Sequence, residues 1–154
     1  MNASERAALI ARYRDGYRAV REALDGVTAE ELDRSADDGW TPRQIVHHLA
    51  DAELIGATRI RWLVAEPNAA IHGYDEKVFV ERLTRDRPIE ASVEAMRWAR
   101  ESTAQLLETM TDDDWSCVGT HDERGRYSAE DWLHVYAPHA HDHADQIRRA
   151  RGRV

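Results

Sequence analysis

The stretch from residue 133 to 147, Leu-His-Val-Tyr-Ala-Pro-His-Ala-His-Asp-His-Ala-Asp-Gln-Ile, decides how this chain of 154 residues folds. In an α-helix, its residues His139 and His143 lie one turn apart on the same face. That face also carries apolar and aromatic residues at helical spacing, namely Trp132, Tyr136, Ala140 and Ile147. The two imidazoles are therefore predicted to point into a helical core, where a shared divalent cation is an economical partner for both.

A third histidine is expected from the segment at residues 40–51. Its Thr-Pro-Arg-Gln run, residues 41–44, is typical of a helix start, with a threonine cap, a proline in the first position and a glutamine that completes a capping box. In a helix that begins there, His48 falls on the apolar face and His47 lies about 100° away. We predict His48 as the third ligand, with His47 as the alternative because a small rotation of the helix would exchange the two.

Two motifs in this chain resemble the DinB/YfiT-like superfamily of metal-binding four-helix bundles. They are Trp-Thr-Pro-Arg-x-Ile-x-x-His-Leu-Ala-Asp at residues 40–51 and Tyr-Ala-x-His-x-x-x-His-x-x-Gln-Ile at residues 136–147. Residues 70–77 and 121–125 are similar to the YfiT-like branch. The resemblance implies an all-α four-helix bundle with a metal triad of His48, His139 and His143, the same three residues that helical spacing selects.

Hydrophobic periodicity and cap signals predict the four long helices at residues 4–24, 42–64, 89–110 and 128–151. Residues 66–88 form a long crossover between helices two and three, with a short helix at 74–83. A crossover of this length allows helices two and three to lie nonadjacent or parallel, unlike an up-down-up-down bundle. The whole chain, 1–154, is expected to be one domain.

Shorter features complete this outline. Capping boxes predict turns of helix after Thr28 and after Thr111. Residues 37–39 are expected to form a loop into the second helix, and residues 116–127 a loop with at most a little extended structure. Pro138 is expected to kink the last helix just before His139.

The composition limits the compartment and the partners. A formal net charge of −8 argues against nucleic acid as the main partner, since binding to phosphates depends on a basic surface. The sequence has one cysteine, no signal-peptide pattern and no apolar run long enough for a membrane span, so a cytoplasmic protein without membrane association is expected. A small-molecule substrate is expected, and the resemblance implies a homodimer.

Three residues are candidates for a catalytic role beside the triad. Asp51 lies three residues beyond His48 and is a candidate to orient it, as outer-shell carboxylates do. Tyr136, one turn before His139, is placed to bring its hydroxyl near an open metal position. Glu76, like His121, belongs to the family-like loops and is a candidate for the mouth of the pocket, although a plain loop residue is the favoured interpretation for both.

These observations point to a metalloenzyme. Three histidines suit zinc, with nickel, manganese or iron as alternatives, and leave a position open for a nucleophile. The resemblance implies transfer of a low-molecular-weight thiol of the bacillithiol or mycothiol type to an electrophile, or hydrolysis by metal-bound water. We favour thiol transfer because the sequence shows no unambiguous general base for water. The alternative from another class is a metal-stabilised stress-response binding protein without turnover.

Overall fold

The computed structural model describes residues 1–35 and 39–153, most of which are helical. The long helices are α1 (Ala3–Ala23), α3 (Pro42–Ala65), α5 (Glu90–Thr109) and α7 (Ala129–Ala150), and the short ones are α2 (Ala29–Leu32), α4 (Glu76–Leu83) and α6 (Asp112–Trp115). The predicted loop at 37–39 falls largely on residues outside this description. Within the described ranges, no helix combines the length and the apolar composition that crossing a membrane requires.

Capping boxes set the starts of the helices that matter most for the site. The Thr41 hydroxyl accepts a hydrogen bond from the backbone N–H of Gln44, whose side chain accepts one from the Thr41 N–H at 2.9 Å. Ser128 and Asp131 form the equivalent box at the start of α7. Each box satisfies backbone donors that a helix start leaves open, and so fixes the phase of the helix that follows.

The long helices form a bundle in which α3 and α5 are adjacent and parallel. His47 near the start of α3 contacts Ser92 near the start of α5, and Arg61 near the end of α3 contacts Thr103 further along α5. The long crossover therefore returns the chain to the same end of the bundle before α5 begins. Of the two arrangements that the sequence allowed, the parallel one is present.

The helices α1 and α7 form a second parallel pair. The amino group of Met1 contacts Glu130 at the start of α7, and the carbonyl oxygen of Arg12 contacts His141 further along. Packing of α1 on α5 and of α3 on α7 joins the two pairs into a four-helix bundle.

Small residues allow α3 and α7 to approach closely beside the predicted ligands. The ring of Tyr136 lies so near Gly56 that a Cβ there would be 2.4 Å from its Cε1 atom. The indole N–H of Trp132 donates to the Gly56 carbonyl oxygen at 2.8 Å. The helix α7 is continuous through Pro138, and the kink expected there stays a prediction.

A small three-stranded sheet packs beside the bundle, where its residues Ile71 and Tyr127 join the hydrophobic core. Its strands are β1 (Ala70–Ile71), β2 (Val118–His121) and β3 (Gly125–Ser128), in the order β1-β2-β3. Strand β1 pairs with β2 in parallel, and β2 pairs with β3 in antiparallel orientation. The expectation that residues 116–127 are mainly loop is wrong, because a hairpin forms there. Gly125 has φ +72° at its turn, which glycine adopts without strain.

Candidate metal centre

Three histidines meet between α3 and α7. The Nε2 atoms of His48 and His139 are 3.3 Å apart, and one ring nitrogen from each of His48, His139 and His143 lies within 4.8 Å of the others. The side chain of His48 is buried, and the other two are half-buried. The four-residue spacing on α7 and the phase of α3 thus bring together the three residues that the sequence selected.

The distance between two of these nitrogens fits a tetrahedral ion. Zinc binds histidine nitrogens at about 2.0–2.1 Å, so two of its imidazole ligands are about 3.3–3.4 Å apart in tetrahedral geometry. The separation between His48 Nε2 and His139 Nε2 is 3.3 Å. The residues present therefore fit a divalent cation of this kind.

The protonation of the cluster also suits a cation. Burial, together with the neighbouring His143, lowers the pKa of His48 to about 3, and burial is also the main reason that the pKa of His139 lies well below its usual value. Both rings are therefore neutral at pH 7 and keep a lone pair for a metal. The side-chain oxygen of Gln146 lies 2.6 Å from Nδ1 of His143 and accepts a hydrogen bond from it, which leaves Nε2 as the nitrogen of this ring that can bind a metal.

The neighbouring His47 is buried without joining the cluster. Its Nδ1 is 2.7 Å from the hydroxyl of Ser92, and its Nε2 is 3.3 Å from the carbonyl oxygen of Arg87. Both ring nitrogens of His47 therefore have protein partners. By contrast, Nδ1 of His48 and Nδ1 of His139 are buried without a hydrogen-bond partner among the described residues.

Trp40 covers one side of the cluster, a role that the sequence reasoning missed. Its ring centroid is 5.0 Å from that of His48 and 6.1 Å from that of His143, and it lies nearly parallel to the latter ring. The signal for it was its place immediately before the cap of α3.

A cavity of about 110 Å³ opens on the other side, against His139. Its wall includes Tyr136 and Glu76, both predicted near the site, and His121, predicted at the mouth of the pocket. Asp51 was predicted to orient His48 by accepting a hydrogen bond from its ring. This bond is absent, since Nδ1 of His48 has no partner in the described part of the chain. Burial raises the pKa of Asp51, whose catalytic role stays a prediction.

The same cavity contains polar groups that the sequence reasoning did not select. They are Arg59, Tyr74, Glu123, Arg124 and Tyr127. The sequence could have indicated Arg59, because a residue eleven positions after His48 lies on the same face of the helix and a charged residue on that face is unusual. Tyr127 had none, since only the hairpin brings β3 beside the bundle.

Several known proteins are similar to this chain in sequence. The sequence-family model described as "DinB superfamily" matches residues 12–147 of this chain. A protein of Oceanobacillus iheyensis is 30% identical over 131 residues, which cover 84% of this chain and 76% of the relative. YfiT of Bacillus subtilis is 30% identical over 138 residues, which cover 88% of this chain and 78% of the relative. Both relatives bear the name "Putative metal-dependent hydrolase".

The solved structure of Bacillus subtilis YfiT superposes on this chain with a TM-score of 0.92 at 26% sequence identity. The match covers 99% of this chain and 89% of that one. That structure is described as having an unusual four-helix bundle topology, and the two parallel helix pairs found here agree with such a description.

Proposed function

The chain belongs to the DinB superfamily, and on this premise we propose that it is a metal-dependent enzyme acting on a small molecule. His48, His139 and His143 are the proposed ligands of one divalent ion. The support is the 3.3 Å separation of two neutral imidazole nitrogens beside a third, next to a cavity. Zinc is the proposed ion because three histidines at this spacing match its tetrahedral preference, with nickel, manganese and iron as alternatives.

The three histidines would hold a zinc ion with a position left open, where the ion would lower the pKa of a bound water to about 7 and keep a bound thiol as its thiolate. The protein supplies the surroundings of that position. Trp40 covers one side of the triad, so the cavity against His139 is the proposed route for the substrate.

The buried wall of this cavity favours a nucleophile that needs no general base. Burial raises the pKa of Tyr136 above its ordinary value and that of Tyr127 to about 12, so both hydroxyls stay protonated at pH 7 and donate hydrogen bonds. The backbone N–H of Glu123 donates to Nδ1 of His121, which leaves the proton of the neutral ring on Nε2. Donors of this kind stabilise negative charge but do not accept a proton.

On this observation we favour transfer of a low-molecular-weight thiol, of the bacillithiol or mycothiol type, to an electrophile. In this reaction Tyr136 is proposed to donate to the negative charge that develops on the electrophile. Its ring centroid lies 6.0 Å from that of His139, and Gly56 lets the ring pack against α3.

Hydrolysis is the second candidate, and two observations favour it. The relatives are named as metal-dependent hydrolases, and the exposed carboxylates of Glu76 and Glu123 also border the cavity. Either carboxylate would serve as the general base for water if the substrate drew it inward. A cytoplasmic homodimer without nucleic-acid or membrane partners stays our expectation for the assembly.

The experiment that tests the proposal begins with the metal content of the untagged protein, measured by elemental mass spectrometry. Cobalt is then placed in the site and titrated with a small thiol while the absorption spectrum is recorded. One metal per chain and a new sulfur-to-cobalt charge-transfer band support thiol transfer. Stoichiometric cobalt whose spectrum does not change with thiol, but whose bound water exchanges, supports hydrolysis. A cobalt site that binds neither thiol nor exchangeable water supports a binding protein without turnover. A protein that binds no metal contradicts the whole proposal.

A further inference from the structure

Arg59 is one of three buried arginines in the part of the chain that the structure describes, and it differs from the other two in its partners. Arg100 forms an ion pair with Glu53, and Arg151 lies 3.0 Å from a carboxylate oxygen of Glu31. Arg59 is 8% exposed, yet within residues 1–35 and 39–153 it forms no ion pair with a carboxylate. A buried guanidinium without an anion is costly, so its missing partner calls for an explanation.

The partners that Arg59 does have are neutral. Its guanidinium donates to the carbonyl oxygen of His72 and lies 3.5 Å from the hydroxyl of Tyr136. It also lies over the ring of Tyr74, at 5.5 Å from the centroid. These contacts hold the side chain in place but leave its charge unneutralised.

The position of Arg59 places that charge where a ligand would enter. Arg59 lines the same cavity as His139, with Tyr136 between them in contact with both. The cavity is therefore bordered by a proposed metal ligand at one point and by a fixed, buried cation at another. A molecule that reaches the histidines passes within reach of Arg59.

We propose that Arg59 binds a carboxylate of the substrate beside the histidine cluster. A guanidinium matches the two oxygens of a carboxylate in a bidentate pair, so Arg59 alone supplies the donors for this anion. The other charged groups that line the cavity favour one negative charge over two. Glu76 and Glu123 are acidic and Arg124 is basic, so a dianion such as phosphate meets more repulsion than a monocarboxylate.

This inference rests on the proposed function only in calling the bound molecule the substrate. Acetate is the probe, with acetamide as its neutral counterpart and inorganic phosphate as the dianionic one. The readout is the side-chain Nε–H signal of Arg59 in nuclear magnetic resonance spectra of the zinc-loaded protein, repeated on the metal-free protein. We expect acetate to shift this signal saturably, acetamide to leave it unchanged and phosphate to bind more weakly.

The variant Arg59→Gln is expected to weaken acetate binding at least about tenfold, since it removes a charge-assisted hydrogen bond. Arg61→Gln is the matched control, because Arg61 lies on the same helix but donates to Ala57, Thr103 and Ser102 outside the cavity. It should bind acetate like the wild type.

Three results would overturn the inference: an Arg59 signal that does not respond to acetate, acetate binding by Arg59→Gln equal to that of the wild type, or phosphate binding tighter than acetate. The zinc content separates these failures from failure of the proposed function. A protein that binds no metal but shows the acetate response would contradict the metalloenzyme and leave the carboxylate site standing.

Discussion

Two clusters of polar side chains are buried in this bundle, and they are built on opposite principles. One consists of Tyr13, Glu53 and Arg100, in which every charged group faces an opposite charge or a matching hydrogen-bond partner. The other consists of His48, His139 and His143 between α3 and α7, whose imidazole nitrogens face one another.

The first cluster, hereafter the Glu53 network, is complete without a ligand. The Tyr13 hydroxyl donates to Glu53 at 2.8 Å, and Arg100 donates to Glu53 and to the Tyr13 carbonyl oxygen. Acceptors and donors are matched, so the network holds α1, α3 and α5 together. The imidazole nitrogens of the histidine cluster face one another, and a cation would complete the cluster. Complementarity among buried polar groups thus separates a structural cluster from a binding site.

The largest expected effect comes from breaking the Glu53 network. Arg100→Met leaves the carboxylate of Glu53 buried without its cation, and such a loss costs about 3–5 kcal/mol of stability. Urea-induced unfolding measures it. The zinc content of the folded protein should not change, because neither residue belongs to the histidine cluster.

A second substitution sharpens this prediction. Glu53→Gln in the Arg100→Met background removes the stranded charge and keeps an oxygen for the Tyr13 hydroxyl. It should recover part of the lost stability. A double variant less stable than Arg100→Met alone would mean that the buried charge was not the cause.

Removal of a proposed metal ligand is expected to act on zinc affinity rather than on packing. His48→Ala or His143→Ala should weaken zinc binding by more than about 100-fold, a loss beyond that typical of outer-shell residues and equivalent to about 2.7 kcal/mol. A competition titration against a chelator measures the affinity.

The controls for these variants are histidines outside the cluster. His141→Ala should bind zinc normally, because its Nε2 contacts the Arg12 carbonyl oxygen on α1. His47→Ala should also keep its zinc, although it loses stability because the Ser92 hydroxyl is left buried. Equal zinc affinity in all four variants would contradict the assignment of the triad.

A smaller effect is expected from Gln146, which orients one ligand. Gln146→Ala removes the acceptor for Nδ1 of His143 and should weaken zinc binding about 10- to 100-fold. Gln105→Ala, which removes an exposed glutamine bonded to Glu101 on α5, is the matched control. Unchanged zinc affinity in Gln146→Ala would show that the ring of His143 is held by packing alone.

The smallest effect concerns the capping box of α7, which lies outside both clusters. Hydrogen bonds from Ser128 hold the pKa of Asp131 below its usual value, so this carboxylate stabilises the fold above about pH 4 and loses that effect as the pH falls through its folded-state pKa. Asp131→Asn should cost less than about 1 kcal/mol at pH 7, since Asp131 is exposed.

Unfolding of the wild type and of Asp131→Asn at several pH values tests this prediction. The stability difference should shrink as the solution is acidified toward about pH 3. A difference that stays constant would assign the effect to the shape of the side chain and not to its charge.

Local sequence signals predicted much of the site because short-range rules govern its parts. The spacing of His139 and His143 needs only a helix, and the capping box at Thr41 fixes the phase that places His48 inward. The ends of the four long helices lie within one residue of those that caps and periodicity predict. The signals for these helices and for the triad are local in the sequence.

The parts that the sequence did not predict depend on contacts between distant segments. Residues 118–121 pair with 125–128 and with 70–71, and this sheet brings Tyr127 to the cavity beside His121. The ion pair of Glu53 with Arg100 spans two helices and is invisible to periodicity. Asp51 shows the converse, since its nearness to His48 in sequence does not produce a hydrogen bond.

The most direct measurement of the central claim compares the unfolding of metal-free protein with and without added zinc. Zinc at 100 times its dissociation constant should raise the free energy of unfolding by about 2.7 kcal/mol. The gain should vanish in His143→Ala and persist in Arg100→Met. If zinc does not change the free energy of unfolding of the wild type, or if it still raises that of His143→Ala by the same amount, the view that a cation completes the histidine cluster is contradicted.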